Sequence, residues 1–144
     1  MCPAQIFGTV VIALLTWFIT HFLSKPYLTF RALRNETIRK MTEFGNVRAQ
    51  WKETRLGELE RMDIPESEQQ RLEQAESIYR DLASQFRAFA ENERLAVWVV
   101  QKLGYDPLKA SKGLIGMSNT VRTAGGNKHA QIKTVQSALR ISEA

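Results

Sequence analysis

Several residue types that support covalent cross-links or catalysis are scarce in this chain. It has 144 residues but only one Cys and two His. One Cys excludes both a disulfide framework and a cysteine-rich zinc site. The rest of the composition, with 44% hydrophobic and 24% charged residues, is that of one ordinary domain and excludes a mostly disordered or collagen-like chain.

Charge is missing from the first 24 residues, although the chain holds 20 basic and 15 acidic side chains. Residues 6–23 of this segment read IFGTVVIALLTWFITHFL. At about 1.5 Å per residue they form a helix of about 27 Å, close to the roughly 30 Å hydrocarbon thickness of a bilayer. A secretory signal peptide needs a basic segment before the apolar run and a small-residue cleavage site, and neither is present. We therefore predict a single transmembrane helix, with residues 1–24 as the anchor.

Positive charge follows the apolar segment but does not precede it. The positive-inside rule places such a flank in the cytoplasm, which predicts an outside N-terminus and a cytoplasmic C-terminal domain. Anionic lipid headgroups are one possible partner of these cations. A simpler interpretation is that these cations set the membrane topology and pair with the acidic residues of 57–94. The juxtamembrane cations are Lys25, Arg31, Arg34, Arg39 and Lys40.

Four small or hydroxyl-bearing residues share one face of the predicted transmembrane helix. Small residues permit close approach of helices in lipid, so the face predicts self-association or docking on a partner helix. An equal alternative is that the threonine hydroxyls bond back to the preceding turn. The residues of this association face are Thr9, Ala13, Thr16 and Thr20. Nearby, His21 is a candidate proton or ion carrier, but a solvated interfacial histidine is the simpler interpretation.

Helical periodicity dominates the rest of the chain. Apolar residues at helical spacing predict a long helix from about Pro26 to about Arg61. A second helix is predicted to start at Asp63-Ile64-Pro65-Glu66, which combines an N-cap residue, an early proline and an acid three residues after the cap. The short connection between them predicts antiparallel neighbours.

The second of these helices carries a heptad seam, in which positions alternate steps of three and four. A polar residue, Glu93, interrupts the seam, so the helix either continues to Leu103 or breaks at Glu91-Asn92. The apolar seam positions are Leu72, Ala75, Tyr79, Leu82, Phe86, Phe89, Ala96, Val100 and Leu103. Trp51 and Trp98 also fall on apolar helical faces and are predicted to lie in the core.

Turn residues divide the C-terminal part into two short helices. Gly104 is a natural helix stop, Asp106-Pro107 begins a helix to about Arg122, and Asn127 caps a last helix to about Ile141. The predicted fold is all-α: a transmembrane anchor (1–24), a coiled-coil-like antiparallel helical hairpin (25–103), a short packing helix (104–126), and a basic C-terminal helix or tail (127–144).

The sequence contains no recognisable catalytic or metal-binding pattern. His21 lies at the membrane, His129 in the tail and Cys2 on the predicted outer side, so they cannot readily form a catalytic set. The glycines of residues 113–119 lack the strand and lysine of a phosphate loop, and close helix packing explains them better. We expect no catalytic residue, metal, cofactor or small-molecule substrate.

Charge along the chain favours a membrane role over nucleic-acid binding. Residues 25–56, 57–94 and 95–144 carry net charges of +5, −5 and +5. The last block is dilute and poor in aromatics, so it fits contact with the acidic block or with lipid better than with nucleic acid. We expect a membrane-anchored interaction module, a scaffold or accessory subunit, whose partners are the bilayer and a protein or second copy. The alternatives are a homo-oligomeric pore or membrane-disrupting effector and, third, an enzyme.

Overall fold

The computed structural model describes residues 3–45, 47, 51–53, 59–61, 65–121 and 127–142, and within them the protein is helical apart from one short strand pair. A π-helical segment, Thr20–Ser24, joins the first two helices. The strands β1 (Trp51–Glu53) and β2 (Leu59–Arg61) pair antiparallel. The helices are α1 (Pro3–Ile19), α2 (Lys25–Phe44), α3 (Glu66–Asn92), α4 (Arg94–Lys102), α5 (Pro107–Thr120) and α6 (Lys128–Leu139).

The apolar N-terminal helix continues directly into α2. Helical conformation is unbroken from Phe7 to Phe44, and this stretch is long and apolar enough to cross a membrane. None of its most apolar window is buried against the rest of the described chain. Phe7, for example, is 73% exposed and Ile12 66%. The domain's own core therefore does not cover this apolar surface.

A wider helical turn carries the chain past Pro26. Proline has no N–H to donate, and its ring clashes with the carbonyl four residues earlier in a regular α-helix. In the π-helical segment the backbone N–H of Lys25 donates instead to the carbonyl of Thr20, five residues back. Such a π-bulge relieves the conflict locally, so the helix passes Pro26 without ending.

Helix α2 is shorter than its sequence pattern predicts. It ends at Phe44 with Gly45 as its C-cap, and Trp51 later pairs with Arg61 across the two strands. The prediction of one helix from Pro26 to Arg61 is therefore wrong. Glycine lowers helix stability by about 1 kcal/mol relative to alanine, which makes position 45 a natural end. The predicted core position of the Trp51 side chain lies outside the described part of the structure.

The heptad seam is divided between two helices. Helix α3 ends at Asn92, Glu93 has non-helical dihedral angles (φ −108°, ψ 56°), and α4 begins at Arg94. Of the two predicted alternatives, a continuous helix to Leu103 or a break near Glu91-Asn92, the structure therefore shows the break. Leu103 lies beyond α4 and is 45% exposed, contrary to its predicted seam position. The remaining seam residues are buried: Leu72, Ala75, Tyr79, Leu82, Phe86, Phe89, Ala96 and Val100.

Helix α5 is the main packing partner of α3. Ser111 Oγ donates to the carbonyl of Ala83 (2.8 Å) and Arg80 Nε donates to Ser118 Oγ (3.0 Å), which makes the two helices antiparallel. On its other side α5 approaches α6 closely at Gly113, where an added Cβ would lie 2.6 Å from Val135 Cγ2. This glycine therefore serves helix packing, as predicted.

Tyr79 is the largest fully buried side chain of the core, and its hydroxyl has no hydrogen-bond partner among the described residues. Burial disfavours the charged tyrosinate. It raises the pKa of Tyr79 from 10.0 to about 12.

We predict that the domain loses stability at alkaline pH because the fold keeps Tyr79 neutral. The unfolded chain releases the tyrosine proton near pH 10.0, whereas the folded chain retains it up to about pH 12, so the free energy of unfolding falls as pH rises between these values. Tyr79→Phe should abolish that part of the alkaline loss. At neutral pH it should be as stable as the native chain or up to about 1 kcal/mol more stable, because an unpaired buried hydroxyl is removed.

Denaturant titrations of the full chain in detergent micelles, at neutral and alkaline pH, check this. Tyr27→Phe is the matched control and should keep the alkaline loss. An identical pH profile for Tyr79→Phe and the native chain would show that another group controls alkaline stability.

Candidate functional site

One side of the folded domain packs against the region where the apolar helix meets α2. Phe30, in the first turns of α2, has its ring centroid 5.7 Å from that of Phe89 and 5.2 Å from that of Tyr105. Helix α4 contacts both the π-helical segment and α2. We call this region, composed of the π-helical segment, the start of α2, α4 and Tyr105, the span-proximal end.

The predicted association face is exposed along α1 and the π-helical segment. Thr16 Oγ1 donates to the Ile12 carbonyl (2.9 Å) and Thr20 Oγ1 donates to the Thr16 carbonyl (2.8 Å). Such back-bonding satisfies hydroxyls that would otherwise be costly in a membrane. The hydroxyls of Thr16 and Thr20 thus follow the back-bonding alternative, while Thr9, Ala13, Thr16 and Thr20 together still present a surface of small, exposed side chains.

His21 is held between a carbonyl and an ammonium group. Its Nδ1 lies 3.1 Å from the Trp17 carbonyl oxygen and its Nε2 lies 3.3 Å from Lys25 Nζ. Because the lysine can only donate, both contacts form together when Nδ1 carries the proton and Nε2 accepts. The two contacts hold the imidazole against its own helix, which is the geometry of a structural interfacial histidine.

Two of the five juxtamembrane cations pair within their own helix. Arg39 forms an ion pair with Glu36 (2.6 Å), and Lys40 with Glu43 (2.8 Å). The bond from Arg39 lowers the pKa of Glu36. Neither pair involves the acidic residues of 57–94, to which the sequence interpretation assigned them. Exposed pairs of this kind contribute little to stability.

Arg34 and Lys128 connect α2 and α6 in a reciprocal manner. Arg34 Nε donates to the Leu139 carbonyl (2.8 Å) and its Nη2 to the Arg140 carbonyl (3.1 Å), at the end of α6. Lys128 Nζ, at the start of α6, donates to the carbonyls of Gly45 (2.8 Å) and Val47 (2.7 Å), just after α2. Each cation therefore neutralises the negative C-terminal end of the opposite helix.

A shallow apolar groove of about 300 Å³ lies between α2 and α6. Met41 of α2 and Ile132 of α6 line its sides, and the buried Met117 of α5 also lines it. The Arg34 and Lys128 contacts join the two helices toward opposite ends of this groove. These two side-chain contacts set the spacing of α2 and α6, because the backbones of the two helices approach each other at few other points.

We predict that Arg34→Met destabilises the domain by about 1.5–3 kcal/mol, because it removes two charge-assisted hydrogen bonds to carbonyls. Arg31→Met is the matched control, since Arg31 is an exposed arginine one turn earlier in the same basic flank. Its effect should stay within about 0.5 kcal/mol. Denaturant unfolding of both full-length variants in the same detergent measures the difference. Equal losses of stability would contradict the helix-capping role.

The C-terminal basic residues also contact backbone carbonyls. Arg140 has a left-handed backbone (φ 49°), and its Nη1 donates to the Leu103 carbonyl (2.9 Å). The same side chain lies over Gly104, whose φ of 86° confirms the predicted helix stop. Lys109 donates instead to Ser137 Oγ (3.1 Å). These contacts join elements within the domain, a use of basic side chains that the charge pattern did not predict.

Trp98 lies on the surface and not in the core. It is 60% exposed, and Leu95 on the same face of α4 is 48% exposed. The prediction placed Trp98 in the core because it lies in an apolar stretch. The buried residues of α4 are Ala96 and Val100, two positions to either side, and a residue midway between them lies on the opposite face of a helix.

Within the ranges that the structure describes, no group of three or more His, Cys, Asp or Glu side chains is placed to hold a metal ion. No protein-family model matches the chain, and no curated protein or solved structure is significantly similar to it.

Proposed function

We propose that this protein is a single-pass, membrane-anchored helical interaction module, a scaffold or accessory subunit with its folded domain in the cytoplasm. One observation carries the proposal: an unbroken helix, Phe7–Phe44, is apolar and uncovered in its first part and packed into a domain in its second. A bilayer supplies the apolar surroundings that the first part lacks.

The flanking charges support the cytoplasmic orientation. Lys25 and Arg31 lie on exposed surface immediately after the apolar segment, and no charged side chain precedes it in the sequence. This asymmetry is the topological signal of the positive-inside rule.

Two long helices form the rigid part of the module. Phe30 at the start of α2 contacts Phe86 and Phe89 near the end of α3, which is the contact pattern of an antiparallel helical hairpin. Movement or binding at the transmembrane helix would be transmitted directly to this hairpin, because α2 continues the same helix.

We place the intramembrane contact of the module on the face of Thr9, Ala13, Thr16 and Thr20. With the hydroxyls of Thr16 and Thr20 bonded to their own helix, the face offers small, nearly apolar side chains to a partner helix or second copy.

Site-specific photocrosslinking in native membranes tests the proposed face. A diazirine amino acid in place of Thr16 should give protein adducts, whereas one in place of Phe18, on the opposite side of the helix, should give mainly lipid adducts. Ala13→Leu should reduce the protein adducts from position 16 several-fold. Val11→Leu, which adds bulk to the other face, should leave them unchanged. Identical products at positions 16 and 18 would contradict the proposal.

A further inference from the structure

Helix α4 has two faces of different character. Ala96 and Val100 are 1% and 0% exposed and pack into the domain. On the other side Leu95 and Trp98, three positions apart, are 48% and 60% exposed. Two large apolar side chains that neighbour each other on one face of a nine-residue helix form a patch and not scattered surface exposure.

Basic groups border this apolar face. Arg94 and Lys102 lie on exposed surface at the two ends of α4, and Lys102 Nζ is 5.9 Å from the centre of the Trp98 ring. Of the two carboxylates nearby, that of Glu91 is paired with Arg87 at 2.8 Å, and Glu93, directly before α4, is half-buried. The edge of the apolar face is therefore mainly cationic, a composition that complements anionic headgroups.

The position of α4 indicates what covers its exposed face. The helix contacts the π-helical segment Thr20–Ser24, the last part of the uncharged sequence. If α1 spans a bilayer, these residues lie at the boundary between acyl chains and headgroups, because the apolar run of 6–23 just fills the hydrocarbon thickness. Helix α4 then lies at the same level, directly beside lipid.

We propose that α4 is a second membrane-binding element, which lies in the bilayer interface with Leu95 and Trp98 inserted and with Arg94 and Lys102 at the lipid phosphates. Tryptophan and lysine are suited to this boundary, since each combines an apolar part with a polar end. This inference rests on the proposed membrane anchoring. It adds a contact that fixes the height and tilt of the domain above the membrane.

Spin-label accessibility in the full-length chain tests the proposal. The background is Cys2→Ser, and single cysteines are introduced as Trp98→Cys or Leu95→Cys, the second of which retains Trp98. Ile12→Cys reports on the transmembrane helix, and Gln69→Cys, on the exposed first turns of α3, is the aqueous control. The labelled protein is reconstituted into phosphatidylcholine vesicles that contain phosphatidylglycerol. Collisions with oxygen and with a water-soluble nickel complex are then compared.

Labels at positions 95 and 98 should favour oxygen over nickel, with depths within about 5–10 Å of the headgroup boundary, while position 69 should favour nickel. High access to both reagents at 95 and 98, as at position 69, would place α4 in water and overturn the proposal. Low access to both would mean that protein covers α4, which overturns it as well. If position 12 also favours nickel, the membrane anchor itself fails. Oxygen preference at 12 but not at 95 and 98 refutes only the inference about α4.

Discussion

Arginine at both Leu14 and Leu15 is expected to move the protein out of the membrane fraction almost completely. Both side chains are more than half exposed in the middle of the apolar helix. One arginine at a transmembrane helix centre costs about 2.5–3.5 kcal/mol on insertion scales. Two cost about 5–7 kcal/mol, which lowers the insertion equilibrium by a factor on the order of 10⁴.

Alkaline carbonate extraction followed by flotation of the membranes measures this change. The matched control carries two arginines at Gln69 and Gln70, which adds the same charge to exposed positions of α3. It should stay with the membranes, as the native chain should. Retention of the Leu14→Arg, Leu15→Arg variant in carbonate-washed membranes would contradict the assignment of this helix as the span.

Phe30→Ala is expected to destabilise the domain by about 3–5 kcal/mol, the usual cost of deleting a fully buried aromatic side chain. Phe30 is 1% exposed and its ring contacts Phe86, Phe89 and Tyr105, so it joins α2 to α3 and to the start of α5. Its loss removes the packing that holds the domain against the end of the apolar helix.

Pulse proteolysis of the full chain in detergent, over a urea series, gives the stability of each variant. Leu28→Ala is the control, because Leu28 is in the same part of α2 but 62% exposed. Its effect should not exceed about 0.5 kcal/mol. Comparable losses for the two variants would mean that the aromatic cluster does not support the domain.

Local sequence signals predicted the short C-terminal helices well. Asp106 accepts a hydrogen bond from the Lys109 backbone N–H (2.9 Å), and Asn127 accepts one from the Ala130 N–H (3.1 Å), as expected of N-caps. Gly104 ends the preceding helix with a positive φ. These features depend on a few neighbouring residues, so the sequence contains the information needed to predict them.

Features set by tertiary packing were harder to predict. Apolar spacing alone extended α2 past Gly45, although a strand pair forms farther along the chain. Trp98 was placed in the core because it lies in an apolar stretch, but Ala96 and Val100 on the opposite side of α4 are the residues that the domain buries.

Long-range polar contacts were beyond the reach of sequence patterns. Arg34 looked like one of five equivalent juxtamembrane cations, but its bonds to carbonyls more than a hundred positions later make it a helix cap. Lys128 looked like part of a basic tail and caps the end of α2. No local signal distinguishes a capping arginine from an exposed one such as Arg31 before the helices are placed together.

We propose that α1 crosses the bilayer and that the folded domain lies in the cytoplasm. The lone cysteine, Cys2, allows a direct measurement with a membrane-impermeant maleimide on intact cells and on permeabilised cells. We predict that Cys2 is labelled in intact cells. In the Cys2→Ser background, Gln69→Cys should be labelled only after permeabilisation. Labelling of Gln69→Cys in intact cells, or of Cys2 only after permeabilisation, would contradict the proposed topology.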